Sequence, residues 1–139
     1  MNRTARALSI AAVLALPLAN VAARAVAATA ATKKSVWKRI TGPQAQANRW
    51  GVVQVSLVVK KTTVGSKVTR KITGVTVPNY PDHTGRSLFI SQNALPVLMS
   101  EALQAQWHPA GISLISGATY TSNAFEQSLQ AAVLKAKKA

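Results

Sequence analysis

Apolar and polar positions alternate most regularly in the middle of the chain. Val53, Val55, Leu57 and Val59 alternate with Gln54, Ser56 and Val58. A period of two with β-branched residues predicts a half-buried strand beginning near Trp50. Residues 60–67 read as a polar connection. Val68, Arg70 and Ile72 then alternate again, Gly74 interrupts, and Val75 and Val77 lead to Pro78. The pattern predicts an antiparallel hairpin, or a meander whose third run ends at Pro78. Residues 79–85 are dense in turn formers and predict a loop.

The spacing changes in the second half. Residues 87–90 fit a short strand. Ala94, Leu95, Leu98, Ala102 and Ala105 recur at helical intervals. They predict a helix capped by Ser91 or Asn93, with Pro96 in its first turn, running to Gln106. Residues 107–111, with Pro109 and Gly111, stop it. Ile112 to Ile115 is a brief apolar stretch, and residues 116–122 are small and polar. Phe125, Leu129, Ala132, Val133 and Ala136 then share one helical face, so a last helix starts near Thr121 or Ser122. Its end carries Lys135, Lys137 and Lys138, which the helix dipole favours there. Trp107 reads as core, and His108 as the end of a helix. The elements together predict an α+β fold, a small twisted antiparallel sheet packed with two main helices in a single domain.

The N-terminal apolar run belongs to a different category. Arg3 and Arg6 precede thirteen uncharged residues at 7–19, and Ala25-Val26-Ala27 follows as an A-x-A pattern. A basic start, a short apolar centre and a small-residue exit predict a signal peptide over residues 1–27. A spanning helix needs about 20 apolar residues, and Asn20 and Arg24 cut this run short. An uncleaved anchor or a buried helix is the alternative. Cleavage near Ala27 leaves 139 − 27 = 112 residues and, without Arg3, Arg6 and Arg24, lowers the formal charge from +14 to 14 − 3 = +11. The mature protein is then exported and extracytoplasmic, in the cell envelope or secreted. Residues 28–47, rich in Ala, Thr and Lys, read as a tether, ordered near Val36-Trp37, and residues 48–139 as the working domain.

Composition narrows the chemistry. The absence of cysteine excludes disulfides, iron–sulfur clusters and thiol catalysis. Two histidines, His83 and His108, cannot alone build a structural zinc site, and no metal site is expected. Three separated carboxylates, Asp82, Glu101 and Glu126, leave a carboxylate-pair hydrolase short of parts. Asp82 and His83 read as exposed turn residues.

The densest chemical signal is Ser116-Gly117-Ala118-Thr119-Tyr120-Thr121-Ser122. Small residues let the backbone turn tightly and expose its N–H groups, and hydroxyls crowd a helix start. Such turns bind phosphate through free amides and the dipole. From the residues alone, an ordinary helix cap by Thr121 or Ser122 is the commoner use.

This segment resembles the flavinylation segment of the FMN-binding domain family. That family includes the flavin subunits of sodium-pumping quinone reductase and of the Rnf complex, and small exported FMN-binding proteins. Residues 51–55 (GVVQV) resemble its opening strand and residues 71–75 (KITGV) its second strand. Gly85-Arg86-Ser87, Ala94-Leu95-Pro96 and Glu101-Ala102-Leu103 resemble the lead-in to its central helix. The likeness covers about residues 48–136. It implies an FMN cofactor joined as a phosphoester to Thr119 by a separate flavin transferase that uses FAD and a metal ion. It also implies cofactor contacts from Ser116, Gly117, Ala118, Tyr120, Thr121, Arg86 and Ser87. The family's attachment pattern begins with an acidic residue three positions before the serine, where this chain has Ser113. Covalent attachment is therefore expected without that carboxylate.

An exported electron carrier is the resulting expectation. It relays electrons between a membrane donor and an extracytoplasmic acceptor, neither identifiable here, and is expected to be a monomer with no catalytic side chains of its own. Whether it is also an enzyme stays open. Two alternatives remain: a flavin-dependent reductase, and a non-flavin module that binds anionic lipid or polymer through its basic hairpin. Lys60, Lys61, Lys67, Arg70 and Lys71 cluster there. They suit an anionic membrane surface, an acidic redox partner or a merely solvated face. Nucleic acid is not expected as a partner outside the cytoplasm.

Overall fold

The computed structural model describes residues 31–139. The expected signal peptide, residues 1–27, and the first residues of the expected tether lie outside the described residues.

The central element is β3 (Val52–Val64), paired antiparallel along its length with β4 (Lys67–Asn79). Gly65, at φ +59°, and Ser66 join the two strands in a tight hairpin turn. The expected polar connection over residues 60–67 is thus mostly strand. Its residues read as a loop because this end of the hairpin has little apolar alternation. The expected third run is likewise absent as a separate strand. Gly74 lies within β4 opposite Val58, beside a register shift, and the strand continues through Pro78. An edge strand tolerates that proline because its outward side needs no N–H.

Within the expected tether, residues 33–41 and 45–46 form strands. β1 (Lys33–Thr41) pairs antiparallel with β3, from Lys33 opposite Val64 to Thr41 opposite Ser56. β2 (Ala45–Gln46) follows on the same side of β3. Most of β1 is exposed, with Ile40 its buried residue, so it lacks the hydrophobic signature of a core strand. The chain bends between β1 and β2 at Gly42, whose N–H donates to the Val55 carbonyl at 2.8 Å.

Two helices cover one face of the sheet. α1 (Gly85–Ala105) buries Ala94, Leu95, Leu98 and Ala102, as their spacing predicts. It starts earlier than expected and absorbs the predicted strand at 87–90. Thr84 is its cap: the Ser87 N–H donates to Thr84 Oγ1, and the Thr84 N–H donates back to Ser87 Oγ, both at 3.0 Å. This reciprocal cap uses a serine where Glu or Gln is usual, which hid it in the sequence. Pro96 consequently sits inside α1, not in its first turn. α2 (Thr119–Lys138) begins two residues before the predicted start and buries Phe125, Leu129, Ala132, Val133 and Ala136. These side chains meet Val53, Val55, Leu57, Val59 and Ile72 of the sheet in one core. Trp107 packs against that core, as expected.

Buried polar groups stitch the layers together. Ser128 Oγ in α2 accepts the Val55 N–H at 2.8 Å and donates to the Pro43 carbonyl at 2.7 Å. The Gln106 side-chain amide pairs with Ile72 on β4, accepting its N–H at 3.0 Å and donating to its carbonyl at 2.9 Å. That contact covers part of an open sheet edge.

Candidate functional site

The start of α2 lacks a side-chain cap: Ala118 occupies the cap position and no hydroxyl reaches back. Ser122 supplies the first N–H with an intrahelical acceptor, the Ala118 carbonyl at 2.8 Å. The amides of Thr119, Tyr120 and Thr121 precede it and have no helical partner. Ser122, one of the two expected caps, is buried and engaged elsewhere, accepting the Ile115 N–H at 3.2 Å. Gly117 approaches the helix with φ +79°, a conformation L side chains rarely adopt, and open space surrounds it. Ala118 is buried, so its small side chain seats the helix end against the core. Thr119 and Tyr120 are exposed.

The start of α1 faces the same cleft. Arg86, Ser87 and Ile90 line it together with Gly117, Ala118, Thr119, Tyr120 and Thr121. Two positive helix ends therefore share one concavity. Arg86 is the charged side chain of the cleft wall, and neither helix has an acidic residue in its first turn. Local electrostatics favour an anion.

Apolar groups complete the walls. Trp50 closes a short 3-10 turn (Asn48–Trp50), and Arg49 lies over its ring at 5.0 Å from the centroid. Gly51, at φ +121°, packs against Pro81, which brings Trp50 and Pro81 to the same side of the cleft. Ser91 Oγ, fully buried, donates to the Pro81 carbonyl at 2.8 Å and holds that wall.

Of the eight site residues expected from sequence, seven line this cleft and Ser116 does not. Ser87 lines it, but its hydroxyl already serves the α1 cap, which limits what else it can bind. Trp50, Pro81 and Ile90 were missed. Trp50 had read as the start of a strand, and nothing local marks Pro81 or Ile90 as wall residues. Asp82 and His83 are exposed and lie outside the lining, as does Trp107.

The cleft combines aromatic and aliphatic walls, one guanidinium, free helix-end amides and an exposed hydroxyl. It suits a flat, partly apolar molecule carrying an anionic group. Comparison with known families agrees: a family model described as FMN-binding domain matches residues 49–134. Neither the curated proteins nor the solved structures contain a match to the chain.

Proposed function

This chain belongs to the FMN-binding domain family, and from that premise we propose that it is an exported electron carrier holding FMN through a phosphoester on Thr119. FMN binding is the family property. The cleft's chemistry fits the cofactor. Thr119, with the uncapped amides behind it, meets the needs of a phosphate. Trp50, Tyr120, Pro81 and Ile90 offer surfaces for a planar ring.

Bound FMN supplies the redox chemistry, accepting and donating electrons that the side chains of the cleft cannot carry. Arg86 favours the more negatively charged, reduced cofactor and so raises its potential. The amides of Thr119 to Thr121 neutralise phosphate charge without a counter-ion. Attachment replaces AMP at the FMN-side phosphorus of FAD by Thr119 Oγ1. The new P–O bond forms as the pyrophosphate bond breaks, and the hydroxyl proton leaves to solvent. A transferase acting from outside needs this hydroxyl exposed, and Thr119 is exposed at the first position of α2.

The observation that carries this proposal is the meeting of Thr119, Arg86 and Trp50 on one cleft. Export rests on the pattern of residues 1–27, and the relay from a membrane donor to an extracytoplasmic acceptor rests on export. The test is mass spectrometry of the denatured, exported protein after co-expression with a flavin transferase. An FMN-sized increase on the Thr119 peptide, lost in Thr119→Ala and retained in Thr119→Ser, is the expected result. An unmodified chain that carries no flavin would overturn the proposal.

A further inference from the structure

The far end of the sheet is a basic blade. Beyond the helices, β1 and the distal halves of β3 and β4 carry nine Lys and Arg residues and no Asp or Glu. Strand periodicity divides them between both faces. Lys34, Lys38, Lys61 and Arg70 line a groove on the core side, beside the end of α2. Lys33, Arg39, Lys60, Lys67 and Lys71 alternate with them and point to the opposite face. Cations also stand directly opposite each other across β3 and β4, Lys61 against Arg70 and Lys60 against Lys71. Like-charged cross-strand pairs destabilise a sheet. Bound anions would relieve that repulsion.

Exposed apolar residues lie among these cations. Val64 and Val68 flank the Gly65-Ser66 turn and are 40% and 44% exposed. Val36 and Trp37, on opposite faces of β1, are 49% and 60% exposed, and Lys60 stands 5.1 Å from the Trp37 ring centroid. β1, with its four cations and Trp37, lies outside the segment that the family model matches, whereas the hairpin of β3 and β4 lies within it.

We infer that the blade docks tip-first into an anionic phospholipid bilayer. A partner that meets one face would leave the other face's charge unanswered. Insertion of the tip into a headgroup layer places phosphates on both faces at once and gives Val64 and Val68 an apolar medium. Trp37 suits the same boundary, where an amphipathic ring finds both water and hydrocarbon. The inference stands whether or not flavin is attached at the other end of the domain.

The exported form, as recovered from cells, is tested for sedimentation with vesicles of phosphatidylcholine alone and with added phosphatidylglycerol. Anionic vesicles should bind it at least about tenfold more tightly, and the difference should vanish at high salt. Lys61→Glu with Arg70→Glu should abolish the preference. Val64→Ser with Val68→Ser, a change confined to the hairpin tip, should weaken vesicle binding severalfold while leaving binding to dextran sulfate intact. Thermal melts establish that each variant is folded. Equal binding to neutral and anionic vesicles would overturn the inference, as would no binding at all. A valine pair without effect, together with full competition by dextran sulfate, would assign the blade to a soluble polyanion instead.

Discussion

The Glu101 carboxylate on α1 accepts the backbone N–H of Ser113 at 2.8 Å. This bond ties the segment leading to Thr119 to a helix residue 12 positions before Ser113. Position 113 is where the attachment pattern that residues 116–122 resemble carries an acidic side chain, and here a carboxylate reaches the same backbone from a different element. Glu101→Ala should lower flavin content severalfold at saturating transferase while changing stability by about 1 kcal/mol or less, because the bond is partly solvated. Ser113→Asp in the Glu101→Ala background should restore loading. Flavin absorbance per protein, read beside a thermal melt, checks both outcomes.

Arg86 stands alone as a charge in the cleft wall. Arg86→Gln should leave the fold intact, because the α1 cap is made by Thr84 and Ser87. The flavin midpoint potential should fall, since a cation that favours the reduced cofactor is gone. Spectroelectrochemical titration of loaded wild-type and variant protein measures the shift. An unchanged potential would place Arg86 away from the cofactor.

Ser128 is a buried junction between α2, β3 and the bend after β1. Ser128→Ala leaves the Val55 N–H and the Pro43 carbonyl without that partner. The expected loss is about 2–4 kcal/mol of unfolding free energy, from one or two buried groups left unpaired. Gly42→Ala should be comparably damaging, because its Cβ would collide with the Ser128 carbonyl oxygen. Denaturant unfolding monitored by tryptophan fluorescence decides this.

Gly117 gives a contrasting case. A Cβ there meets nothing, so the cost of Gly117→Ala comes from φ +79° alone. Stability should fall by about 1–2 kcal/mol. Replacement by Asn, which tolerates this conformation better, should cost less. Thermal melts of the two variants give the order.

Gln106 shields the edge of β4 at Ile72. Gln106→Glu keeps an acceptor for the Ile72 N–H and loses the donor to its carbonyl. A loss of about 1 kcal/mol is expected, with the second half of β4 showing faster hydrogen exchange than the rest of the sheet.

How legible each part was in the sequence depends on how local its cause is. The run from Val53 to Val59 was readable because its alternate residues are buried by the two helices. The faces of α1 and α2 were readable for the same reason. β1 reads only as order near Val36-Trp37 because it is mostly solvent-exposed and pairs with residues 56 − 41 = 15 to 64 − 33 = 31 positions on, which no local pattern records. The α1 start escaped because Thr84 and Ser87 make a cap in which serine replaces the usual glutamate or glutamine. The polar stretch at 60–67 resembled a loop because two-sided exposure erases strand alternation.

The sequence by itself determined the family, the α+β character, the two helix faces and the small-residue turn before Thr119. Each depends on neighbours a few residues apart, so chain chemistry suffices. The tertiary structure alone decided that Trp50, Pro81, Arg86 and Thr119 share a cleft, that Glu101 reaches Ser113, and that the lysines of β1 join those of the hairpin in one blade. Those relations come from packing and strand register between distant segments, where burial and hydrogen bonding select one arrangement from many with the same local pattern.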